Sequence, residues 1–283
     1  PHLNVALKAV NCQEDRERLF SVGDLIDHGQ DSWGAIELLA KPWFHAVLGN
    51  HEAMALAFHG RLRAWYSRHV WFGNGGGWSE YLNASQTSRM LEALSGLPLA
   101  LEIPQRDGRV IGLVHAEILG ERGWSALSEL SWTQVVADDD RPVAIESGLL
   151  WARSQAVVNA FLMRHEQLDP DQIRAYLRRH RAFVGLARKT RGIDLLISGH
   201  TITHSHRPFA IENRLSIDTG AYQDDGALTL VEPLADQYFQ VRWNRNQTGP
   251  AQKAIRRPLP KPLRAWDLRA LLRAKRAALE VLS

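Results

Sequence analysis

Four short polar clusters, each behind an apolar run, could do chemistry together. Gly23-Asp24 follows RLFSV, Gly49-Asn50-His51-Glu52 follows WFHAVL, His115 follows VIGLV, and Gly199-His200-Thr201 follows DLLIS. Asp24, Asn50, His115 and His200 offer oxygen and nitrogen donors of intermediate hardness, a set that suits Mn, Fe or Zn. The single cysteine, Cys12, supports neither a thiolate cluster nor a disulfide framework. A cysteine-free site of this kind is expected to keep an open coordination position rather than to serve as a closed structural zinc site. Water on such an ion has its pKa pulled toward neutrality and can attack as hydroxide, while the ion polarises a phosphoryl oxygen. His51, beside Asn50, is then placed to protonate a departing alkoxide or phenoxide as general acid.

These clusters need strands to carry them, because in open α/β sheets side chains from separate loops converge at the carboxyl ends of strands. Apolar runs predict strands at RLFSV, WFHAVL, LALEI, VIGLVH, DLLIS, RLSID, ALTLV and YFQVRW. Helical patterns start at Ser32, read as its own N-cap, at His51, at Thr87, and near Asp169 to Gly185. The alternation predicts an α/β protein, and the late strands without helices predict a second sheet packed on the first, flanked by helices. The domain is expected over residues 1–243. From Asn244 to about Ala265 the text turns to Asn, Gln, Gly, Pro and basic residues, which is linker composition, before a basic helix AWDLRALLRAKRAALEVL. The net charge of +3 is mild, and much of the excess lies in this tail. Contact of the tail with nucleic acid or anionic membrane is weighed against a solvated basic face, which is favoured. PHLNVALKAV lacks a basic segment followed by a long apolar core, and no run approaches the roughly 18 apolar residues of a membrane span. A cytoplasmic protein without a membrane span is expected.

GDLIDHGQDS, GNHEAMAL, GNGGGW, VHAE, LLWAR, SGHT and IDTGA occur in that order from about Leu19 to Val231. Together they resemble the calcineurin-like metallophosphoesterases, and within them the lambda-phage-type bacterial serine/threonine protein phosphatases. The resemblance implies an α/β/β/α sandwich. It implies that Asp24 bridges two metals, that Asn50, His115 and His200 complete the second metal site, that His51 is the general acid and that Asp27 orients it. Arg153 matches the arginine that grips the substrate phosphate, a task suited to a planar fork of donors; a structural ion-pair arginine is the rival reading. Two departures stand out. The family's first strand and its Gly-Asp-x-His-Gly motif are missing, since PHLNV falls about where the following helix starts; a fragment or a mis-called start is the expectation, with an open strand edge as the alternative's cost. One ion rather than the family's two, and impaired catalysis, would follow. The second departure is His28, which stands where the family has a phosphate-binding arginine.

The resemblance therefore implies a divalent-metal phosphoester hydrolase, manganese favoured, acting on phosphoproteins of the Ser/Thr class or on small phosphoesters. The alternatives are a dinucleoside polyphosphate hydrolase and a pseudophosphatase that binds without turnover. Other polar residues have plainer readings. His28 reads as a tolerated loop residue, His204 and His206 as exposed loop residues near the site, and Asp138 to Asp140 as a solvated acidic turn. Gly75-Gly76-Gly77 lacks the Lys-Ser/Thr of a phosphate loop and reads as a chain turn beside the site. The ten tryptophans are expected mostly to serve core and loop packing.

Overall fold

VIGLV and LLIS place apolar residues at successive positions, the pattern of strands covered on both faces. In the computed structural model, which describes residues 2–62, 68–118, 123–129, 149–153, 189–203, 205–242 and 254–262, they form β4 (Val110–Val114) and β5 (Leu195–Ser198). With β3 (Ala100–Pro104), β6 (Phe209–Ile211) and β7 (Arg214–Ser216) they make a five-stranded sheet in the order β3-β4-β5-β7-β6. The β4–β5 and β5–β7 pairs are parallel, with Leu113 opposite Ile197 and Ile197 opposite Leu215. The outer pairs are antiparallel.

The second layer has two parts. β1 (Leu19–Ser21) and β2 (Phe44–Ala46) pair in parallel, while β8 (Ala227–Glu232), β9 (Gln237–Arg242) and β10 (Ile255–Pro258) form an antiparallel meander. Phe20, Val22 and Val47 from the first part, and Val231 and Leu259 from the second, meet Ile111, Leu113, Ile197 and Leu215 of the five-stranded sheet. This shared apolar core joins three sheets into two packed layers.

The described α-helices gather around the second layer. α2 (Ser32–Leu38), α3 (Asn50–Phe58), α4 (Arg68–Gly73) and α5 (Ala84–Ser95) enclose a cluster around Leu48, Met54, Trp71, Met90 and Leu94. Burying a Leu or Met side chain fully contributes roughly 1.5–3 kcal/mol, so this cluster is a main source of stability. Every residue of α3 from Asn50 to Leu56 is buried, which is why HEAMALAF has no polar stripe. α1 (His2–Ala9) lies against β8 and β9. No helix among the described residues is long and apolar enough to cross a membrane.

Several expectations shift in detail. Asp31, not Ser32, caps α2, its carboxylate accepting the Gly34 N–H at 2.7 Å; Ser32 instead turns inward, its Oγ accepting the Asp27 N–H at 3.1 Å. α5 begins before Thr87, because Asn83 and Gln86 exchange backbone N–H bonds in a capping box. RLSID joins the first sheet, not the second. The linker reading of 244–265 differs at Ile255–Pro258, which extends the second sheet as β10 because β9 offers it a free edge. The helix expected near 169–185, Asp138 to Asp140, His204 and the basic terminal helix lie outside the described residues.

Candidate metal centre

Asp24 leaves β1 through Gly23, whose φ of +89° needs glycine. Asn50 and His51 open α3 behind Gly49, where a Cβ would overlap Asp24. That overlap explains the glycine: the two strand-end loops touch through their backbones. One buried carboxylate ties them. Glu52 accepts N–H groups from Asp24 (3.0 Å), Leu25 (2.6 Å), Ile26 (3.3 Å) and Gly49 (2.8 Å). Burial, then the Asp24 charge, push its pKa up. His115 follows β4 and His200 follows β5, so the loops bring all four expected donors to one end of the strands.

The donor atoms meet closely. Asn50 Oδ1 lies 2.8 Å from His115 Nε2 and 2.9 Å from His200 Nδ1, and the two imidazole nitrogens are 3.1 Å apart. Asp24 Oδ1 lies 3.4 Å from His115 Nε2. The tautomer of His115 follows from its other side: Nδ1 is 2.7 Å from the Val22 carbonyl, which can only accept, so Nδ1 carries the proton and Nε2 keeps its lone pair. Burial lowers the His115 pKa to about 4 and, with His115 adding to it, the His200 pKa to about 2. Both rings are thus neutral near pH 7. Burial also raises Asp24 to about 6, partly offset by His51. Lone-pair atoms drawn this close, with neutral rings and a carboxylate beside them, fit a divalent cation.

A second cluster adjoins the first. His51 Nδ1 donates to Asp27 Oδ2 at 2.7 Å, and Nε2 points the other way, 4.0 Å from Asp24 Oδ2. Burial alone would lower the His51 pKa, but the Asp27 hydrogen bond and the charges of Asp24, Asp27 and Glu52 outweigh it and raise the pKa. Asp27 also accepts the indole N–H groups of Trp71 at 3.0 Å and Trp78 at 2.7 Å. The glycine run does turn beside the site, with Gly75 at φ +101° against Asp27 and His28. Two of the tryptophans expected to serve core and loop packing thus also hold the carboxylate; their flanking of GNGGG was the available signal.

Other expected residues fall around this centre. Arg153 is exposed, and its charge acts on Asp24, His200 and Asp218. Burial raises the pKa of Asp218, from the IDTGA segment, which sequence reasoning had not singled out. His28 stacks on Tyr222, with ring centroids 4.7 Å apart, and meets His51 edge-on at 5.3 Å. His206 is half-buried rather than exposed, its Nδ1 donating to the Thr219 carbonyl at 3.1 Å. Of eight non-glycine residues with positive φ among the described residues, Asp24, Asp27, His28 and His200 lie here. Each such conformation costs on the order of 1–3 kcal/mol and persists where surrounding contacts impose it.

Comparison with known proteins agrees with this chemistry. The model of the calcineurin-like phosphoesterase family matches residues 1–204. The chain is 31% identical over 207 residues to serine/threonine-protein phosphatase 2 of Escherichia coli (strain K12), covering 72% of this chain and 74% of that one. It is 27% identical over 220 residues to the protein of the same description from Salmonella typhimurium (strain LT2), covering 76% and 80%. Among solved structures, a candidate diadenosine tetraphosphatase is similar with a TM-score of 0.46 at 16% identity, covering 92% of this chain and 88% of that one.

Proposed function

We infer the reaction from one premise: this chain belongs to the calcineurin-like phosphoesterase family and is a metal-dependent phosphoesterase by descent. We read it as a cytoplasmic phosphoprotein phosphatase of the serine/threonine class that uses manganese. The observation that carries this reading is the convergence of Asn50 Oδ1, His115 Nε2 and His200 Nδ1, within 3.1 Å of one another, beside Asp24. The serine/threonine class is supported by the descriptions of the curated relatives.

A divalent cation held by Asp24, Asn50, His115 and His200 would supply water of lowered pKa and polarise a phosphoryl oxygen. The remaining work falls to the chain. Arg153 draws in and orients the phosphate through its charge and planar donors. Asp27, fixed by Trp71 and Trp78, holds the His51 ring so that only Nε2 can face substrate. His51 Nε2–H then gives its proton to the leaving oxygen, and its raised pKa keeps that proton available near neutrality. Attack on phosphorus is direct, so no phosphoenzyme forms.

The test is release of phosphate from a phosphothreonine peptide, with bound metal counted in the same samples. Hydrolysis that rises with manganese and is lost with chelator is expected. Hydrolysis of diadenosine tetraphosphate alone would move the substrate to dinucleoside polyphosphates. Bound metal without turnover of either would make the chain a binding protein.

A further inference from the structure

We propose that the cleft between β2, α2 and α5 docks an extended segment of a partner polypeptide, which adds a strand to the free edge of β2 and sets a lysine or arginine beside Glu92. This docking goes beyond the phosphoester chemistry and does not depend on it.

Among the described strands, β2 bonds β1 alone. Leu19 N–H donates to the Trp43 carbonyl and Val47 N–H to the Ser21 carbonyl, so the odd-numbered positions along β2 serve that pairing. Backbone groups alternate sides along a strand, and Phe44 and Ala46 therefore turn theirs the other way. The Phe44 N–H is used locally, donating to the Lys41 carbonyl at 3.1 Å. The Phe44 carbonyl and both backbone groups of Ala46 have no hydrogen-bond partner among the described residues, although both residues are buried. Two residues on, the edge is closed, because Leu48 N–H donates to the Pro98 carbonyl at 2.7 Å. Backbone N–H and C=O groups rarely stay unpaired inside a fold.

A cavity of about 480 Å³ runs along this edge, lined by Phe44 and Ala46 together with Ile36 of α2, Ala93 of α5, Leu97 and Leu101. The lining suits the apolar side chains of an added strand. None of Asp24, Asn50, His51, His115 and His200 lines it, so an occupant leaves the metal centre open. A carbonyl, an N–H and a second carbonyl in succession along one edge are matched together by another strand, whereas a small molecule meets one or two of them. Charge at the rim selects the strand. Arg89 lies 5.2 Å over the Trp33 ring and 3.9 Å from Glu37, and the Trp33 indole N–H donates to Glu37 at 3.1 Å. Glu37 and Arg89 thus answer each other. Glu92 lines the same cavity, is exposed, and has no cation paired with it among the described residues. A basic side chain on the incoming strand complements it.

The probe is the acetylated, amidated pentapeptide Lys-Val-Thr-Val-Thr, titrated into the isotope-labelled full chain with manganese and followed by amide NMR, which needs no turnover. The Ala46 amide should move saturably and exchange its hydrogen more slowly as peptide binds. N-methylation at the central Thr or at the Val after it should weaken binding on the order of tenfold at one of these two positions only, because alternate amides face β2. Glu92→Lys should weaken binding about two- to fivefold, the range of one exposed ion pair, and favour a peptide with Glu in place of Lys. An Ala46 amide that stays still at millimolar peptide overturns the docking site. One already protected from exchange in the free chain overturns the partner, since the chain itself or a second copy then fills the cleft. Equal binding of the unmodified and both N-methylated peptides leaves an apolar cavity without strand addition, and an unchanged affinity in Glu92→Lys removes the basic residue.

Discussion

Asp24 and Asp27 leave the same loop three residues apart, both with positive φ, and the two halves of the site that grow from them differ in one respect. Around Asp27 donors and acceptors are matched: its carboxylate takes N–H groups from His51, Trp71 and Trp78. Around Asp24 acceptors gather. Its carboxylate accepts the His51 backbone N–H at 3.2 Å and lies 3.4 Å from His115 Nε2, which brings its own lone pair and itself lies 2.8 Å from Asn50 Oδ1. A polar cluster whose hydrogen bonds are complete is a rigid support, and one whose acceptors outnumber its donors invites a cation. The same residue types thus take opposite roles according to who donates to them.

The comparison can be broken most forcefully on the Asp24 side. His200→Ala should lose bound metal and lower phosphoesterase activity by about a hundredfold or more, beyond what loss of an outer-shell partner costs. Metal content equal to that of the wild type, measured by mass spectrometry, would remove His200 from the ligands. On the Asp27 side, His51→Asn should keep the metal and slow turnover of phosphothreonine by roughly 10²-fold or more, with a smaller loss on p-nitrophenyl phosphate, whose leaving group needs no proton. Equal losses on the two substrates would refute the general acid.

Asp27→Asn sharpens the contrast through pH. Asp27 raises the His51 pKa, and a general acid works only while protonated, so activity is lost as pH rises through that pKa. Removing the carboxylate should move the alkaline limb of the rate profile to lower pH and cut kcat roughly tenfold. An unmoved limb would mean that another group sets it. The smallest effect concerns the tie between the halves. Glu52→Gln replaces one oxygen that accepts backbone N–H groups with an amide donor, and should cost about 1–3 kcal/mol of unfolding free energy, read by urea denaturation.

The candidate ligands were readable because each stands directly behind an apolar run, and the order GDLIDHG, GNHE, VHAE, SGHT carried the family. Eight strands were also readable: burial on both faces leaves near-continuous apolar text in β4 and β5, while strands such as β2 and β9 alternate buried with more exposed positions. β6 and β10 were not. Phe209–Ile211 directly follows a proline and stops at Glu212, so it reads as part of a turn, and Ile255–Pro258 is an exposed edge whose partner, rather than its own pattern, makes it a strand.

By itself the sequence determined which atoms could bind a cation and which histidine adjoins them, because those relations are local: a strand end, a glycine, a neighbouring residue. Only the tertiary structure decided which aspartate is saturated. The indole donors to Asp27 come from 44 and 51 residues away in the chain, and Tyr222 reaches His28 from another loop altogether. Side chains this distant in sequence leave no periodic trace, since their meeting is fixed by how the sheet layers and helices pack, not by any single element.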